Sequence, residues 1–292
     1  MTHTPKRLFL GLTLVAWLGA VVQAQEVVAV LSSAPGPYQA AFDSFLKDFG
    51  QPVTSYHLPQ DKPTIGSQTR VVVAFGGEAA QKAYPKRVTV IVCLAPGLSE
   101  SSPHAGPFVF IAMKPPAPVL LAQIKKLQPQ MKRLAVLWNA DYTGTYLNEL
   151  QRVGAAQGIG IDAVRVPDPS GVPDALRNLS PKPDALWLAP DPGLITPGSF
   201  QTIKQFSWDN AIPFYAPTAG LAAAGAAAAI AVSVQEMGHR DAQLARQALS
   251  GETLPQIAYS EKTELMVNPE SAAKAGLKIA PEALSQADKV LP

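Results

Sequence analysis

Short apolar runs alternate with amphipathic stretches along the chain, and the pattern is clearest in its middle. Leu134 to Trp138 is an apolar run with the length of a buried strand. After a polar corner, apolar residues between Tyr146 and Val153 recur at three- and four-residue steps, as on one face of a helix. Gly158 ends this pattern, and Ile161 to Val166 is typical of a second strand. The segment is therefore predicted to be a strand–loop–helix–strand unit.

A second unit of the same plan lies near the start of the chain. Val27 to Leu31 is again an apolar run that leads into a polar corner. A helix with phenylalanines on one face then ends at Gly50, and Val53 to Leu58 predicts the next strand. Two such units in one chain indicate two α/β lobes of similar plan.

The rest of the chain continues the alternation of strand and helix patterns. Further strand-like runs are Arg70–Phe75, Val88–Leu94, Phe108–Met113, Ala185–Ala189, Pro213–Ala216, Ile257–Tyr259 and Leu265–Val267. Helical patterns are Glu78–Tyr84, Val119–Leu127, Val172–Leu179, Ser199–Asn210, Ser233–Leu249, Asn268–Gly276 and Pro281–Val290. The apolar stretch from Leu221 to Val234 is shorter than the ~20 residues that span a bilayer, so it predicts a packed helix and strand. The alternation predicts an α/β fold with parallel sheets.

The composition agrees with a folded, globular chain. With 292 residues it has the length of one large domain or two ordinary ones, 47% of the residues are hydrophobic, and only 16% are charged. This balance excludes global disorder. The net charge is +2 and no cluster of Lys and Arg is interleaved with aromatic residues, so no nucleic-acid partner is expected.

The N-terminal segment, residues 1–24, has the pattern of a cleavable signal peptide. A basic pair precedes an apolar run from Leu8 to Val21, and Val22-Gln23-Ala24 offers small residues at the usual cleavage spacing. The alternative is an uncleaved membrane anchor, for which the apolar run is short. We therefore expect the mature chain to begin at Gln25 and to be exported to the periplasm.

Signatures of catalysis are absent from the sequence. It contains no Gly-x-Ser-x-Gly elbow, His-Glu-x-x-His pair, phosphate-binding loop or Cys-x-x-Cys motif. The four histidines are scattered and none has metal-ligand spacing. Cys93, the only cysteine, lies in an apolar run in which a buried, inert thiol is expected. Neither enzymatic activity nor a bound metal or cofactor is expected.

Polar corners that follow the predicted strands form the candidate ligand site. In parallel α/β sheets, ligands bind outside the carboxyl ends of the strands, where loops carry polar groups and helix N-termini offer free N–H donors. The candidate residues at these corners are Ser32, Ser33, Gly76, Gly77, Asn139, Asp191 and Thr218. Each has a structural alternative, because a Ser or Asp can cap the next helix and Gly76-Gly77 can simply permit a tight turn.

The C-terminal segment resembles the ending of a known family. In ELMVNPESAAKAGLKIAPEALSQADKVL, a Val-Asn strand leads to an Ala-rich helix, a Gly-Leu-x-Ile step and a final Ala-Asp-x-Val. This order resembles that of ABC-transporter substrate-binding proteins of the tryptophan/tyrosine type. Further similar pieces, in the same order as in the family, are Phe75–Ala80, Lys132–Asn139, Ile212–Ala226 and Glu236–Pro255.

The resemblance implies a type I periplasmic-binding fold, with two Rossmann-like lobes whose parallel sheets are joined by hinge crossings. Lobe 1 is expected to comprise 25–112 plus 235–292, and lobe 2 to comprise 113–234. The implied function is that of an exported solute-binding protein of an ABC-type uptake system, a monomer that closes around a small ligand and presents it to a membrane permease. The ligand would be an amino acid or another small polar or aromatic solute.

The resemblance also implies roles for aromatic residues near the corners. Tyr38, Tyr142 and Tyr215 are expected to be stacking or lid groups over the ligand. The polar corners would then hold the ammonium and carboxylate groups of an amino acid.

The chain departs from the family pattern at two places. Ala95-Pro96-Gly97 stands where the family commonly has Asp-Pro, and Met113 to Pro116 replaces an Asn-x-x-Gly element. The missing carboxylate removes a partner for an ammonium group. Lys114 could favour an anionic ligand or lie along the lobe surface, and the surface position is the one expected. The alternative function is accordingly a relative that has lost transport and acts as a periplasmic sensor or accessory subunit.

Overall fold

The computed structural model describes residues 26–33, 35–96, 98 and 104–291. The predicted signal peptide, 1–24, and the expected first residue of the mature chain lie outside the described residues. Within the described ranges, no helix combines the length and the apolar character that crossing a membrane requires.

Strands and helices alternate through the described residues. The strands are β1 (Val27–Leu31), β2 (Thr54–His57), β3 (Val71–Phe75), β4 (Thr89–Cys93), β5 (Phe108–Ile111), β6 (Arg133–Trp138), β7 (Gly160–Arg165), β8 (Ala185–Leu188), β9 (Phe214–Ala216), β10 (Ala228–Ala231), β11 (Ile257–Ala258), β12 (Glu264–Val267) and β13 (Lys289–Val290). The helices are α1 (Pro37–Phe49), α2 (Gly77–Ala80), α3 (Ala117–Leu127), α4 (Ala140–Ala156), α5 (Val172–Arg177), α6 (Pro197–Asn210), α7 (Ala219–Ala223), α8 (Val234–Ser250), α9 (Pro269–Lys274) and α10 (Pro281–Ser285).

The strands form two sheets, which confirms the predicted α/β fold. The first sheet has the order β11-β5-β4-β3-β1-β2 and the second has the order β13-β12-β10-β9-β8-β6-β7. All described pairings are parallel except that of β10 with β12. In the first sheet, Leu31 pairs with Phe75 and Phe75 pairs with Cys93. The carboxyl ends of β1, β3 and β4 therefore lie side by side.

Helices α1 and α8 cover one face of the first sheet. Phe42 and Phe45 of α1 and Met237 and Leu244 of α8 belong to one buried cluster with alternate residues of β1 and β3. The two helices also approach each other very closely at Gly238. A Cβ atom built there would lie only 2.0 Å from the backbone oxygen of Ala41. Glycine is the residue that permits this helix contact.

The second sheet is covered by helices on both faces. Helices α3 and α4 contribute Leu121, Ile124 and Leu150 to the core on one face. Helices α5 and α6 contribute Leu176 and Ile203 to the core on the other. Buried strands with near-continuous apolar sequence are typical of parallel sheets covered on both faces.

The chain passes between the two sheets three times. The first crossing runs from β5 to α3 (112–116), the second from β10 to α8 (232–233), and the third from β11 to β12 (259–263). After the third crossing, β12 pairs with β10 of the second sheet, and β13 pairs with β12.

The expected placement of the whole segment 235–292 in lobe 1 is therefore wrong for its last part. Only α8 and β11 join the first sheet, because β12 extends the second sheet instead. A helix was also expected over Pro281–Val290, where α10 ends at Ser285 and β13 follows. An apolar run can identify a buried strand, but it does not indicate which of two sheets the strand joins.

Candidate functional site

The first corner lies at the carboxyl ends of β1 and β3. The Ala79 N–H in α2 donates a hydrogen bond of 2.9 Å to Oγ of Ser32, which is 9% exposed. The Ser32 N–H donates to the Phe75 oxygen at 2.9 Å, so the two strand ends are joined by backbone and side chain. Ser32 thus supports the first turn of α2, not that of α1, which is the next helix in the chain. Ser33, in contrast, is exposed.

Tyr38 lies directly against Gly76 at this corner. A Cβ atom at Gly76 would come within 2.5 Å of Ser32 Oγ and within 2.7 Å of the Tyr38 ring. Gly76 has φ of 98°, a conformation that side chains with a Cβ atom rarely adopt. Gly77 begins α2 immediately afterwards. Ser32, Tyr38 and Gly76, all predicted to be ligand-site residues, thus lie next to one another, and the Tyr38 ring packs over the backbone of Gly76.

The second corner joins the carboxyl ends of β6 and β8. Asp191 is 1% exposed, and its carboxylate accepts hydrogen bonds from the N–H groups of Asn139 at 3.1 Å and Gly193 at 2.9 Å. The Asn139 side chain donates to the Pro167 oxygen beyond β7 at 2.7 Å. These contacts fix the loops after three neighbouring strands. The carboxylate of Asp191 is thus a structural link within the corner.

The other candidates of the second lobe are separated from this link. Thr218 is exposed and caps α7, with the Leu221 N–H donating to its hydroxyl at 3.4 Å. Tyr142 lies in the first turn of α4, and its side chain is outside the described part of the structure. Tyr215 is fully buried beneath α3 and α4, and its hydroxyl lies 3.1 Å from Gln128 Oε1.

The expectation that Tyr215 is a stacking or lid group is therefore wrong. Its ring belongs to the core of the second lobe, and burial raises the pKa of its hydroxyl. In a strand that is buried on both faces, the sequence pattern cannot distinguish a residue at the rim from one inside the core.

Lys114 is the main residue whose environment the sequence misjudged. It is only 5% exposed, whereas a position on the lobe surface was expected. Its Nζ lies 5.1 Å from the ring centroid of Tyr146 in α4, within the range of a cation–π interaction. The hydroxyl of Tyr146 donates to the oxygen of Pro115 at 2.8 Å. The only sequence signal was an isolated lysine between an apolar run and two prolines.

A buried acid lies behind the first corner. Asp241 of α8 is fully buried, and neither of its carboxylate oxygens has a hydrogen-bond partner among the described residues. Burial raises the pKa of Asp241 well above its ordinary value, and only the nearby Cys93 thiol opposes this. The pKa of the Cys93 thiol is raised mainly by burial and further by the neighbouring Asp241. Cys93 is thus the buried thiol that the sequence predicts.

Metal-binding geometry is not found in the part of the chain that the structure describes. No group of three or more His, Cys, Asp or Glu side chains there could hold a metal ion. The described site is instead made of backbone groups, hydroxyls and aromatic rings at strand ends. Such a set can bind a small organic solute through hydrogen bonds and ring contacts.

Comparison with known proteins agrees with this description. The model of the family described as "ABC transporter substrate binding protein" matches residues 118–291. A tyrosine-binding protein of Clostridioides difficile is 22% identical over 155 residues, which are 52% of this chain and 44% of that protein. The alignment thus spans less than half the length of this relative.

Solved structures share the fold over nearly the whole chain. An ABC domain from Streptococcus pneumonia in complex with L-Trp superposes with a TM-score of 0.61 at 17% identity, and it covers 91% of this chain and 99% of its own. The ligand-free, open structure of a substrate-binding protein with adhesive properties from Clostridium difficile gives a TM-score of 0.63 at 17% identity, with the same coverage. These similarities confirm the two-lobe, type I periplasmic-binding fold.

Proposed function

Because this chain belongs to the family of ABC transporter substrate-binding proteins, we propose that it is an exported solute-binding protein whose lobes close around a small ligand. The observation that carries the proposal is the first corner, where the Tyr38 ring lies over the bare backbone of Gly76 at the ends of two parallel strands. A membrane permease would receive the ligand from the closed form. The sequence lacks the signatures of catalysis, and this lack supports a binding role.

The ligand that this corner suits best is a small solute with an aromatic or planar group. The Tyr38 side chain is half-buried and offers a flat apolar surface, while N–H groups at the start of α2 lie beside it. Aromatic pairs contribute about 0.5–1.5 kcal/mol beyond the area that they bury. The tyrosine-binding protein and the L-Trp complex among the similar proteins support an aromatic amino acid as the first ligand to test.

Export to the periplasm is part of the same proposal and rests on residues 1–24. Their basic start, apolar run and small residues before Gln25 are the pattern of a cleavable signal peptide. A binding protein that serves a membrane permease must meet its solute outside the cytoplasmic membrane. The N-terminal sequence of protein recovered from the periplasm would test the cleavage site.

A second function, that of a relative that has lost transport, is favoured by one observation. Ala95 follows β4 at the edge where the family commonly carries an aspartate, and it is fully buried. A carboxylate that could pair with an ammonium group is therefore missing at this position. A sensor or accessory subunit of a membrane protein could keep the fold without this contact.

Calorimetric titration of the purified mature chain with L-tryptophan and L-tyrosine tests the proposed function. We expect saturable binding to the wild-type protein. Tyr38→Ala should raise the Kd at least about tenfold, the order expected when a central aromatic contact is removed. The control is Lys47→Ala, an exposed position in the last turn of the same helix, which should leave the Kd unchanged.

Two outcomes would count against the proposal. Equal Kd values for wild-type and Tyr38→Ala protein would remove Tyr38 from the site. No binding of either amino acid, together with no small molecule released on denaturing the purified protein, would favour the sensor or accessory role.

A further inference from the structure

Two of the three crossings leave the first sheet side by side. The first crossing follows β5 and the third follows β11, and these strands are parallel neighbours. The N–H of Ala112 donates to the oxygen of Ala258 at 2.9 Å, just where both segments leave the sheet. The two crossings are therefore fixed to one another on the side of the first lobe.

On the side of the second lobe, both crossings contact one residue, Tyr146 of α4. Its hydroxyl donates to the oxygen of Pro115 in the first crossing at 2.8 Å, and Lys114 of the same crossing lies over its ring. The ring of Tyr259 in the third crossing packs against the Tyr146 ring, with 6.4 Å between the two centroids. Trp187 of β8 supports the Tyr146 ring from within the sheet, with 5.5 Å between centroids. Tyr146 itself is 1% exposed.

Helix α4 connects this contact to the second corner. The helix begins at Ala140, directly after Asn139, and Tyr146 lies within its first two turns. Asn139 is hydrogen-bonded to the loops after β7 and β8. A displacement of the α4 N-terminus would therefore be transmitted along a rigid helix to the two crossings.

We propose that Tyr146 is the positioning residue of lobe closure, holding the first and third crossings on α4 so that the lobes rotate about a defined axis. The inference rests on the proposed function in one respect, since it takes closure around a ligand as the movement that Tyr146 guides. The bend is confined to the few residues between the two fixed points. In the first crossing these are Met113 and Lys114, between Ala112 and Pro115, and in the third crossing the two fixed points, Ala258 and Tyr259, are adjacent in the chain.

The chain offers a matched control for Tyr146. Tyr215 is also a fully buried tyrosine of the same core cluster, and its hydroxyl makes one hydrogen bond, to Gln128. Burial raises the pKa of both phenols, so both remain protonated. Tyr215 lies in β9, and its hydroxyl bonds to Gln128 at the end of α3 and not to a crossing. The two Tyr→Phe variants should lose similar stability but differ in lobe movement.

Distances between spin labels on the two lobes test the proposal in the ligand-free protein. Lys47→Cys in α1 and Gln201→Cys in α6 provide exposed label sites, and the native Cys93 is fully buried. We expect Tyr146→Phe to change the population ratio of the interlobe distances by about tenfold, the order expected for one buried hydrogen bond. Tyr215→Phe should keep the wild-type distribution.

A second variant keeps the test informative if Tyr146→Phe folds poorly. Lys114→Met retains the aliphatic stem and removes the ammonium group above the ring, and it should shift the distances in the same direction. A wild-type distribution in both variants, or an equal change in Tyr215→Phe, would overturn the proposal. Because these distances are measured without ligand, a failure to bind amino acids would refute the proposed function without affecting this result.

Discussion

Replacing Gly238 by alanine is expected to destabilise the protein by about 3 kcal/mol or more, the upper range for overpacking a well-packed contact. The new Cβ would lie 2.0 Å from the Ala41 oxygen, 2.9 Å from its carbonyl carbon and 3.0 Å from the Phe45 nitrogen. All three atoms are backbone atoms of α1, so no side-chain rotation can relieve the clash. Helices α1 and α8 would have to separate, which would loosen the core on this face of the first sheet.

Urea unfolding of the Gly238→Ala variant measures this effect. The control is Gly220→Ala in α7, where a Cβ would meet no atom within 4 Å and the backbone is helical. That change should be neutral or stabilise by about 0.5–1 kcal/mol, because alanine loses less backbone entropy on folding. Equal midpoints for Gly238→Ala and the wild type would show that α1 and α8 are not packed as described.

Asp241→Asn is expected to change how stability depends on pH. Burial raises the pKa of Asp241, so the folded protein binds a proton that the unfolded chain releases above about pH 4. The free energy of unfolding therefore falls as the pH rises from about 4 towards the raised pKa, by up to ~1.4 kcal/mol per pH unit. Asparagine has nearly the same shape and does not titrate. The free energy of unfolding of the variant, relative to that of the wild type, should accordingly rise with pH.

Unfolding curves at a series of pH values between 4 and 8 test this expectation. Asp43→Asn provides the control, since Asp43 is an exposed acid on α1. Among the described residues, the titratable side chain that acts on Asp241 is the Cys93 thiol. A constant difference between Asp241→Asn and the wild type across the whole range would contradict a raised pKa for this carboxyl.

Most of the elements could be predicted from the sequence, because they depend on local patterns. The run Leu134–Trp138 is part of β6, and the three- and four-residue steps after Tyr146 lie on the buried face of α4. Gly50 ends α1 with φ of 75°, as expected of a glycine after a helix. Where spacing and a stop signal coincide, the sequence alone is sufficient.

Long-range pairing could not be predicted in the same way. The run Leu265–Val267 was identified as a strand, but its antiparallel pairing with β10 depends on the third crossing. Nothing in these three apolar residues specifies the partner strand. The assignment of the last segment to the first lobe was an extrapolation from the resemblance, and the observed pairing corrects it.

The corners of the site were predictable, but the roles of their side chains were not. Strand ends that carry polar residues can be located from the pattern, and Ser32, Tyr38 and Gly76 do meet in space. Asp191 bonds to backbone N–H groups of two loops, and this depends on the final position of both loops. Lys114 is buried because Tyr146 comes from another element to cover it. Such roles arise from tertiary contacts that no short segment encodes.

The odd number of crossings has a practical consequence for following the protein in solution. Because the chain passes between the sheets three times, Glu26 lies beside the first sheet and Leu291 beside the second. A pair of fluorescent proteins attached before Glu26 and after Leu291 would thus report on different lobes. Energy transfer between them could serve as an optical sensor of solute without any insertion into a loop or a strand.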